Sequence, residues 1–294
     1  MSRAGMTRAR EKVPRERVAS ELPEGVPREL LHDLHLLTRD GDLNADARRK
    51  LKQIRHLIGL LGPALDDVYQ RHEQPVLVDC GAGKSSLGFL LYALRVGPAA
   101  RGALTAIEAR TDFAAAARER ATRYGFERFG CVASEIARAA EALPERLHVV
   151  TALHACDTAT DDALALAIAR NADYVAVVPC CQAEVARQLG QAKPADAPSE
   201  VLFAHAWHRR EFGAHITNVI RALALEAHGY QVTVTELAGW EHSLKNELIL
   251  GKRVKRFDAK AQAQLDALLE RFDVRPALIH ALEGAARVQG ASER

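Results

Sequence analysis

The stretch at residues 74–86, QPVLVDCGAGKSS, constrains this chain most. Pro75 closes whatever precedes it, because its ring fixes φ and removes a backbone donor. Val76, Leu77 and Val78 form a short apolar run of the kind that becomes a buried strand. Asp79-Cys80-Gly81-Ala82-Gly83 ends that strand, and a helical pattern opens at Lys84-Ser85-Ser86. A strand, a tight glycine turn and a helix N-terminus are the parts of a nucleotide cradle. Glycine lets the backbone come close to a ligand, and the free N–H groups of the helix end point at it.

A G-x-G pair is a weak signal alone, so its departures from known cradles matter. The dinucleotide fingerprint needs a third glycine, where this chain has Ser86; Gly88 comes too late. An acid such as Asp79 beside a pyrophosphate would repel it. Gly83-Lys84-Ser85 imitates a phosphate-binding G-K-S, but no glycine stands five residues before Gly83. The acid instead suits a ligand whose near end is cationic or carries hydroxyls.

Strands and helices alternate after the cradle. Residues 103–107 read as a second strand ending in Glu108, about 25 residues beyond the glycines, where an acid holds ribose hydroxyls through its two oxygens. Residues 111–124 form an alanine-rich helix closed by Gly125. Residues 129–133 give a third strand with Ser134-Glu135 at its tip, near where an adenine edge would lie. Residues 147–153 are a fourth strand running into His154-Ala155-Cys156-Asp157, with Asp161 further on. Residues 174–178 are a fifth, ending in Pro179-Cys180-Cys181-Gln182. This alternation implies a parallel sheet with helices on both faces, and ligands at the carboxyl ends of its strands. Asp79, Glu108, Ser134, the 154–161 loop and residues 179–182 all fall at such ends.

The flanks read as helical. Residues 1–27 are basic with few apolar groups and are expected to be a disordered tail. Residues 28–72 read as a helical cover: Leu30, Leu31, Leu34 and Leu37 share one face. Asn44 caps a second helix with Leu51, Ile54, Ile58, Leu61, Leu65 and Val68 inside, which Gly62-Pro63 is expected to kink or divide. Its outer face carries Arg48, Lys52 and Arg55, either a wet helix face or a polynucleotide grip. The domain itself spans 73–256. Residues 190–199 read as a loop, and Trp207-His208-Arg209-Arg210 as either a helix start or a stacking and phosphate grip. In the helix at 211–228, His215, Asn218 and Arg221 are weak candidates to face the site. Two closing strands at 231–237 and 248–254 flank a loop with Lys245 and Asn246, and residues 257–294 are a helical tail with Leu265, Leu268, Leu269 and Phe272 on one face.

Composition excludes little. Hydrophobic residues make up 48% and charged residues 27% of 294, with a net charge of +2, an ordinary balance for a globular chain. No apolar run approaches the roughly 20 residues of a membrane span. Five cysteines, two of them adjacent, and no apolar leader point to reduced thiols and a cytoplasmic location.

Read together, VDCGAGKSSLGFLL, ALHACDTATDDAL, VPCCQ and HSLKNELI resemble a particular class I methyltransferase domain over residues 45–255. That domain is shared by acceptor-stem tRNA 2′-O-methyltransferases, glutathione-transferase-C-terminal-domain-containing proteins and bacterial proteins of uncertain substrate. The resemblance implies a Rossmann-like α/β fold with a seven-stranded, mostly parallel sheet, S-adenosylmethionine as cofactor, and RNA as partner. The donor, with its ammonium, sulfonium and ribose, matches the acid before the glycines. The expected donor contacts are Asp79, Gly81, Ala82, Gly83, Lys84, Glu108, Ser134 and His154. Pro179, Cys181, Lys245 and Asn246 are candidate acceptor contacts.

Three residues are candidates for the chemistry. Methyl transfer needs an acceptor lone pair in line with the sulfonium, and often a proton acceptor. His154 is the base by type, and Asp157 is a second base or an orienting acceptor. Cys180, paired with Cys156, would allow attack on a pyrimidine ring, as in enzymes that methylate carbon 5 of cytosine; as a bland alternative the thiols only line the pocket. The cysteines lack a C-x-x-C spacing, so no metal is expected. A small-molecule or protein acceptor, and a non-catalytic RNA-binding protein that kept the donor fold, remain as alternatives.

Overall fold

The computed structural model of the chain describes residues 21–38, 40–180, 182–191, 196–237 and 246–292. The basic stretch at 1–20, Cys181 and the hairpin loop with Lys245 lie outside the described residues.

The elements run in chain order as α1 (Arg28–Asp33), α2 (Ala45–Arg71), β1 (Val76–Cys80), α3 (Ser86–Leu91), β2 (Ala103–Glu108), α4 (Thr111–Arg123), β3 (Phe129–Ala133), β4 (Val149–Leu153), α5 (Thr158–Ala169), β5 (Tyr174–Val178), α6 (Glu184–Gln191), α7 (Ala197–Phe203), α8 (Ala206–Ala227), β6 (Tyr230–Glu236), β7 (Glu247–Arg253), α9 (Ala259–Phe272) and α10 (Ala277–Ser292). The seven strands form one sheet in the order β3-β2-β1-β4-β5-β7-β6. β1 to β5 are parallel, with Leu77 beside both Leu104 and Val149, and Leu153 beside Val178. β7 runs antiparallel to β5 and to β6. The chain order reverses between β1 and β4, so the loops after these strands open a crevice at one edge, the place where open α/β sheets take ligands.

Each face of the sheet carries its own apolar cluster. On one, Leu30, Leu31, Leu51, Ile54, Leu57, Leu61 and Leu65 of the cover pack with Phe89, Leu90, Tyr92 and Phe129. On the other, α5, α8 and α9 bury Leu164, Ile220, Leu225 and Leu265 against Val150, Val175 and Val177. At about 1.5–3 kcal/mol per fully buried large side chain, the cover is held as firmly as the helices between the strands. It is part of the core.

Several local expectations shift. The Asn44 cap forms, with Oδ1 accepting from the Ala47 N–H at 2.8 Å. α2 then runs unbroken through Pro63, so Gly62-Pro63 does not divide it; apolar packing along its whole length outweighs one lost backbone bond. α1 ends at Asp33, and Leu37 is buried from the turn that follows rather than from the helix. Within the expected loop at 190–199, Asp196 caps α7 by accepting from the Ser199 N–H. Trp207-His208-Arg209-Arg210 form the first turns of α8. The tail is two helices, α9 and α10, with Pro276 between them.

Candidate donor and methyl-transfer site

The glycine turn leaves β1 with Gly81 and Gly83 at φ +61° and +55°, and Ser85 at +57° starts α3. A Cβ on Gly81 would lie 3.1 Å from the Ala155 Cβ, so the turn presses against the loop after β4. A Cβ on Gly83 would meet nothing within 4 Å. That side of the backbone is open and could admit a ligand. Beneath it the Oγ atoms of Ser85 and Ser86 are buried without hydrogen-bond partners among the described residues, while Lys84 is exposed.

Asp79, the penultimate residue of β1, stands just before the turn with only 2% exposure. Its Oδ1 accepts from the Thr151 hydroxyl at 3.0 Å and its Oδ2 from the Gly88 N–H at 3.2 Å. The acid thus ties β1 to β4 and to α3, both its oxygens being engaged within the fold. Burial pushes its pKa up to about 7, against the opposing hydrogen bonds and the Lys50 charge. Glu108 holds the turn from the other side: Oε2 accepts from the Gly83 N–H at 2.6 Å and Oε1 from the Arg110 N–H at 2.9 Å. A carboxylate takes about four donors, so both oxygens retain capacity for hydroxyls. Ser134 is fixed beside it, its N–H donating to the Glu108 carbonyl at 3.1 Å.

The loop after β4 carries the strain of the site. His154 and Asp157 sit at φ +59° and +51°, a conformation costing on the order of 1–3 kcal/mol per non-glycine residue. His154 Nε2 lies 3.1 Å from Gln53 Oε1 of the cover helix α2, and Gln53 Nε2 donates to Asn246 Oδ1 at 3.3 Å. Gln53 and Asn246 are each 2% exposed. Burial, then the Lys50 charge, lowers the His154 pKa, so the imidazole is neutral at pH 7. Asp157 is half-buried, its carboxylate 3.5 Å from the Ala183 N–H.

The cysteines divide into two kinds. Cys80 and Cys131 are buried within strands, and desolvation raises the first well above its ordinary pKa and the second to about 11. Cys156 and Cys180 face each other across adjacent strand ends with sulfurs 3.1 Å apart, and each lies 3.7 Å from the His154 carbonyl. Cys156 is exposed and Cys180 half-buried. Thiol chemistry is therefore open only to this pair among the described cysteines.

Other candidates fall elsewhere. Pro179 is buried at the end of β5. Asn246 closes the hairpin, its carbonyl accepting from the Leu237 N–H at 2.7 Å, and its side chain points at Gln53 rather than outward. Asp161 pairs with Arg221 at 2.7 Å, both about fully buried. Arg221 also donates to Asn218 and to the Asp157 carbonyl. Asn218 and Arg221 therefore brace the loop from below and do not face open solvent. Gln53 and Lys50 escape the sequence reading; the only signal was a polar residue set beside the apolar stripe of Leu51 and Ile54.

The residues fit S-adenosylmethionine. The opening over Gly83 leaves room against the backbone, and the spare acceptor capacity of Glu108 suits the two hydroxyls of a ribose. Residues 49–188 match the family model described as a methyltransferase domain. A comparison with curated proteins finds no match. Solved structures similar to the chain include an rRNA methylase from Streptococcus thermophilus (12% identity, 67% of this chain and 96% of that one, TM-score 0.44). They also include a methyltransferase from Podospora anserina bound to S-adenosylhomocysteine (13%, 82% and 95%, TM-score 0.46), and magnesium protoporphyrin IX methyltransferase from Synechocystis PCC 6803 (11%, 77% and 94%, TM-score 0.45). The sheet order and the glycine turn are those of the Rossmann-like class I methyltransferase fold. The chain is an S-adenosylmethionine-dependent methyltransferase.

Proposed function

We propose that this enzyme methylates RNA, in line with its resemblance to the acceptor-stem tRNA 2′-O-methyltransferases. The observation that carries the reading is an aromatic and cationic platform on α8. Trp207 is 63% exposed, and the Arg210 guanidinium lies 4.2 Å from its ring centroid. Asn218, on the same helix, bonds Glu247 at the start of β7, level with the carboxyl edge of the parallel strands. Trp207 lies eleven residues earlier on that helix, about 17 Å along its axis from Asn218. A small acceptor has no use for a grip at that distance, whereas a polynucleotide stacks a base and places a phosphate there. Cations on both helices are engaged within the fold: Arg210 pairs with Glu211 at 3.0 Å on α8, and on the outer face of α2 Arg48 pairs with Glu21 and Arg55 donates to the Glu21 carbonyl. What singles out α8 is its exposed indole.

In this reading Gly81, Ala82 and Gly83 shape the donor pocket, and Glu108 receives the ribose hydroxyls with Ser134 near the base. Asp79 and Lys84 set the field around the amino-acid end. The bound donor supplies an electrophilic methyl group on a sulfonium. His154 takes the acceptor's proton, and Asp157 at the mouth of the loop orients the acceptor.

The test is transfer from tritiated S-adenosylmethionine to fractionated cellular RNA, protein and metabolites. Label is expected in RNA, and Trp207→Ala should raise KM for RNA about tenfold, within the roughly 1–3 kcal/mol of a base stack, with S-adenosylhomocysteine affinity unchanged. Label confined to metabolites or protein overturns the RNA reading. Absence of S-adenosylhomocysteine binding would sink the donor assignment itself.

A further inference from the structure

We propose that Gln53, on the cover helix, is a positioning residue for His154: its side-chain carbonyl accepts the Nε2 proton of the imidazole and so assigns Nδ1 as the atom that receives the acceptor's proton. The inference rests on His154 acting as base.

Gln53 is buried to 2% in a stripe of leucines and isoleucines, where leaving its amide unpaired would be costly. Both its ends are used. The NH2 group donates to Asn246 Oδ1 at 3.3 Å, which leaves the carbonyl oxygen 3.1 Å from His154 Nε2. An acceptor at that place requires a proton on Nε2. In the neutral ring the lone pair then lies on Nδ1. The amide bridges three segments remote in sequence, the cover helix, the loop after β4 and the closing hairpin, and it holds a histidine whose backbone is already strained at φ +59°. Lys50, one turn earlier on α2, lowers the His154 pKa after burial does. Among the described residues, Cys156 and Cys180 lie beside the His154 carbonyl and Asp157 stands in the same loop. The cover helix thereby keeps the base neutral and fixes its tautomer.

The step balances simply. The acceptor's O–H or N–H bond breaks and its proton goes to Nδ1. The acceptor's lone pair forms the bond to the methyl carbon, and the electrons of the carbon–sulfur bond leave with sulfur. The ring becomes imidazolium, its Nε2–H still donated to Gln53.

The experiment is nitrogen NMR of histidine-labelled protein without ligand, wild type beside Gln53→Glu and Gln53→Leu. The wild type is expected to show His154 protonated at Nε2 above its pKa. Gln53→Glu, which sets a carboxylate against the ring, should raise the His154 pKa by about one unit or more. It should move the acid limb of the transfer rate with it. Gln53→Leu should lose the Nε2–H preference and lower kcat about tenfold or more with KM unchanged. A His154 protonated at Nδ1 in the wild type, or a titration identical in wild type and Gln53→Glu, would overturn the assignment even if Gln53→Leu fails to fold. The spectra need no methyl transfer, so failure here is distinct from failure of the RNA or donor readings.

Discussion

The two edges of the central sheet solve opposite problems. At the amino edge, Asp173 is met by Arg146 at 2.9 Å, Arg71 at 3.3 Å and His72 at 3.0 Å. His148 Nδ1 accepts from the Val76 N–H, and the Tyr174 hydroxyl donates to Asp67. His72, His148 and Asp173 come close enough for an ion, but two guanidiniums already compensate the carboxylate, and the His148 lone pair is spent on backbone. This edge is closed by its own pairings. At the carboxyl edge Ser85, His154 and Asp157 hold positive φ, the Ser85 and Ser86 hydroxyls are buried without hydrogen-bond partners among the described residues, and Gly83 of the glycine turn faces open space. The amino edge has strained residues of its own, Ala100 and Asn171, but they lie in plain connections away from the glycine turn. Charge pairing is gathered at one edge and the open glycine turn at the other, as expected where a rigid scaffold carries a site on its loops.

Substitutions can sharpen that contrast. The largest expected effect lies just beneath the site. Arg221→Met leaves Asp161 buried and uncompensated, which should lower unfolding free energy by about 3–5 kcal/mol, whereas the double change Asp161→Leu with Arg221→Met should recover most of it. Urea unfolding reads both. If the single variant were neutral, the carboxyl edge would prove less dependent on its support than the geometry implies.

Glycines on the two edges should then separate binding from folding. Gly83→Val fills the open side of the turn and should weaken S-adenosylhomocysteine at least about 100-fold by calorimetry, while costing only the roughly 1–2 kcal/mol of a strained φ. Gly102 stands at the amino edge at φ +76°, where a Cβ would meet the Pro75 carbonyl at 2.7 Å. Gly102→Ala should lower stability by about 2 kcal/mol or more, with donor affinity per folded molecule unchanged. Equal effects of both variants on binding would erase the distinction.

Acidity provides the smallest and most specific comparison. Burial pushes Asp79 up to about 7 and His148 down to about 4. The folded state therefore keeps a proton on Asp79 that the unfolded chain gives up above its ordinary carboxylate pKa. That contribution is present at low pH and lost as pH rises through about 7. His148 works the other way: the unfolded chain takes up a proton below about 6.5 that the folded ring refuses. Its contribution is present above that pH and is lost as pH falls toward 4. Between about pH 4.5 and 6.5 the two oppose each other. Asp79→Asn should make the urea midpoint rise more steeply with pH, and His148→Gln should make it fall. Parallel profiles in both variants would show that neither group is desolvated as its burial implies.

What the sequence determined by itself is local. A proline, three apolar residues and two glycines specify the strand, turn and helix of the cradle. Alternating runs specify β1 to β5, and Asn44 specifies the start of α2, because each signal is read within a few residues by backbone sterics and side-chain periodicity. The two closing strands were legible in the same way, and family resemblance supplied their antiparallel pairing. Only the tertiary structure decided where polar side chains end up. Asp161 finds Arg221 across 60 residues, His154 finds Gln53 across 101, and Gln53 finds Asn246 across 193. No period or motif links such partners; packing brings them together, and the cost of leaving a polar group unpaired in the core makes them bond once there. For the same reason Asp79, legible as an acid before a glycine turn, proved to be a clamp between β4 and α3. Its position was local information, and the direction its carboxylate faces was not.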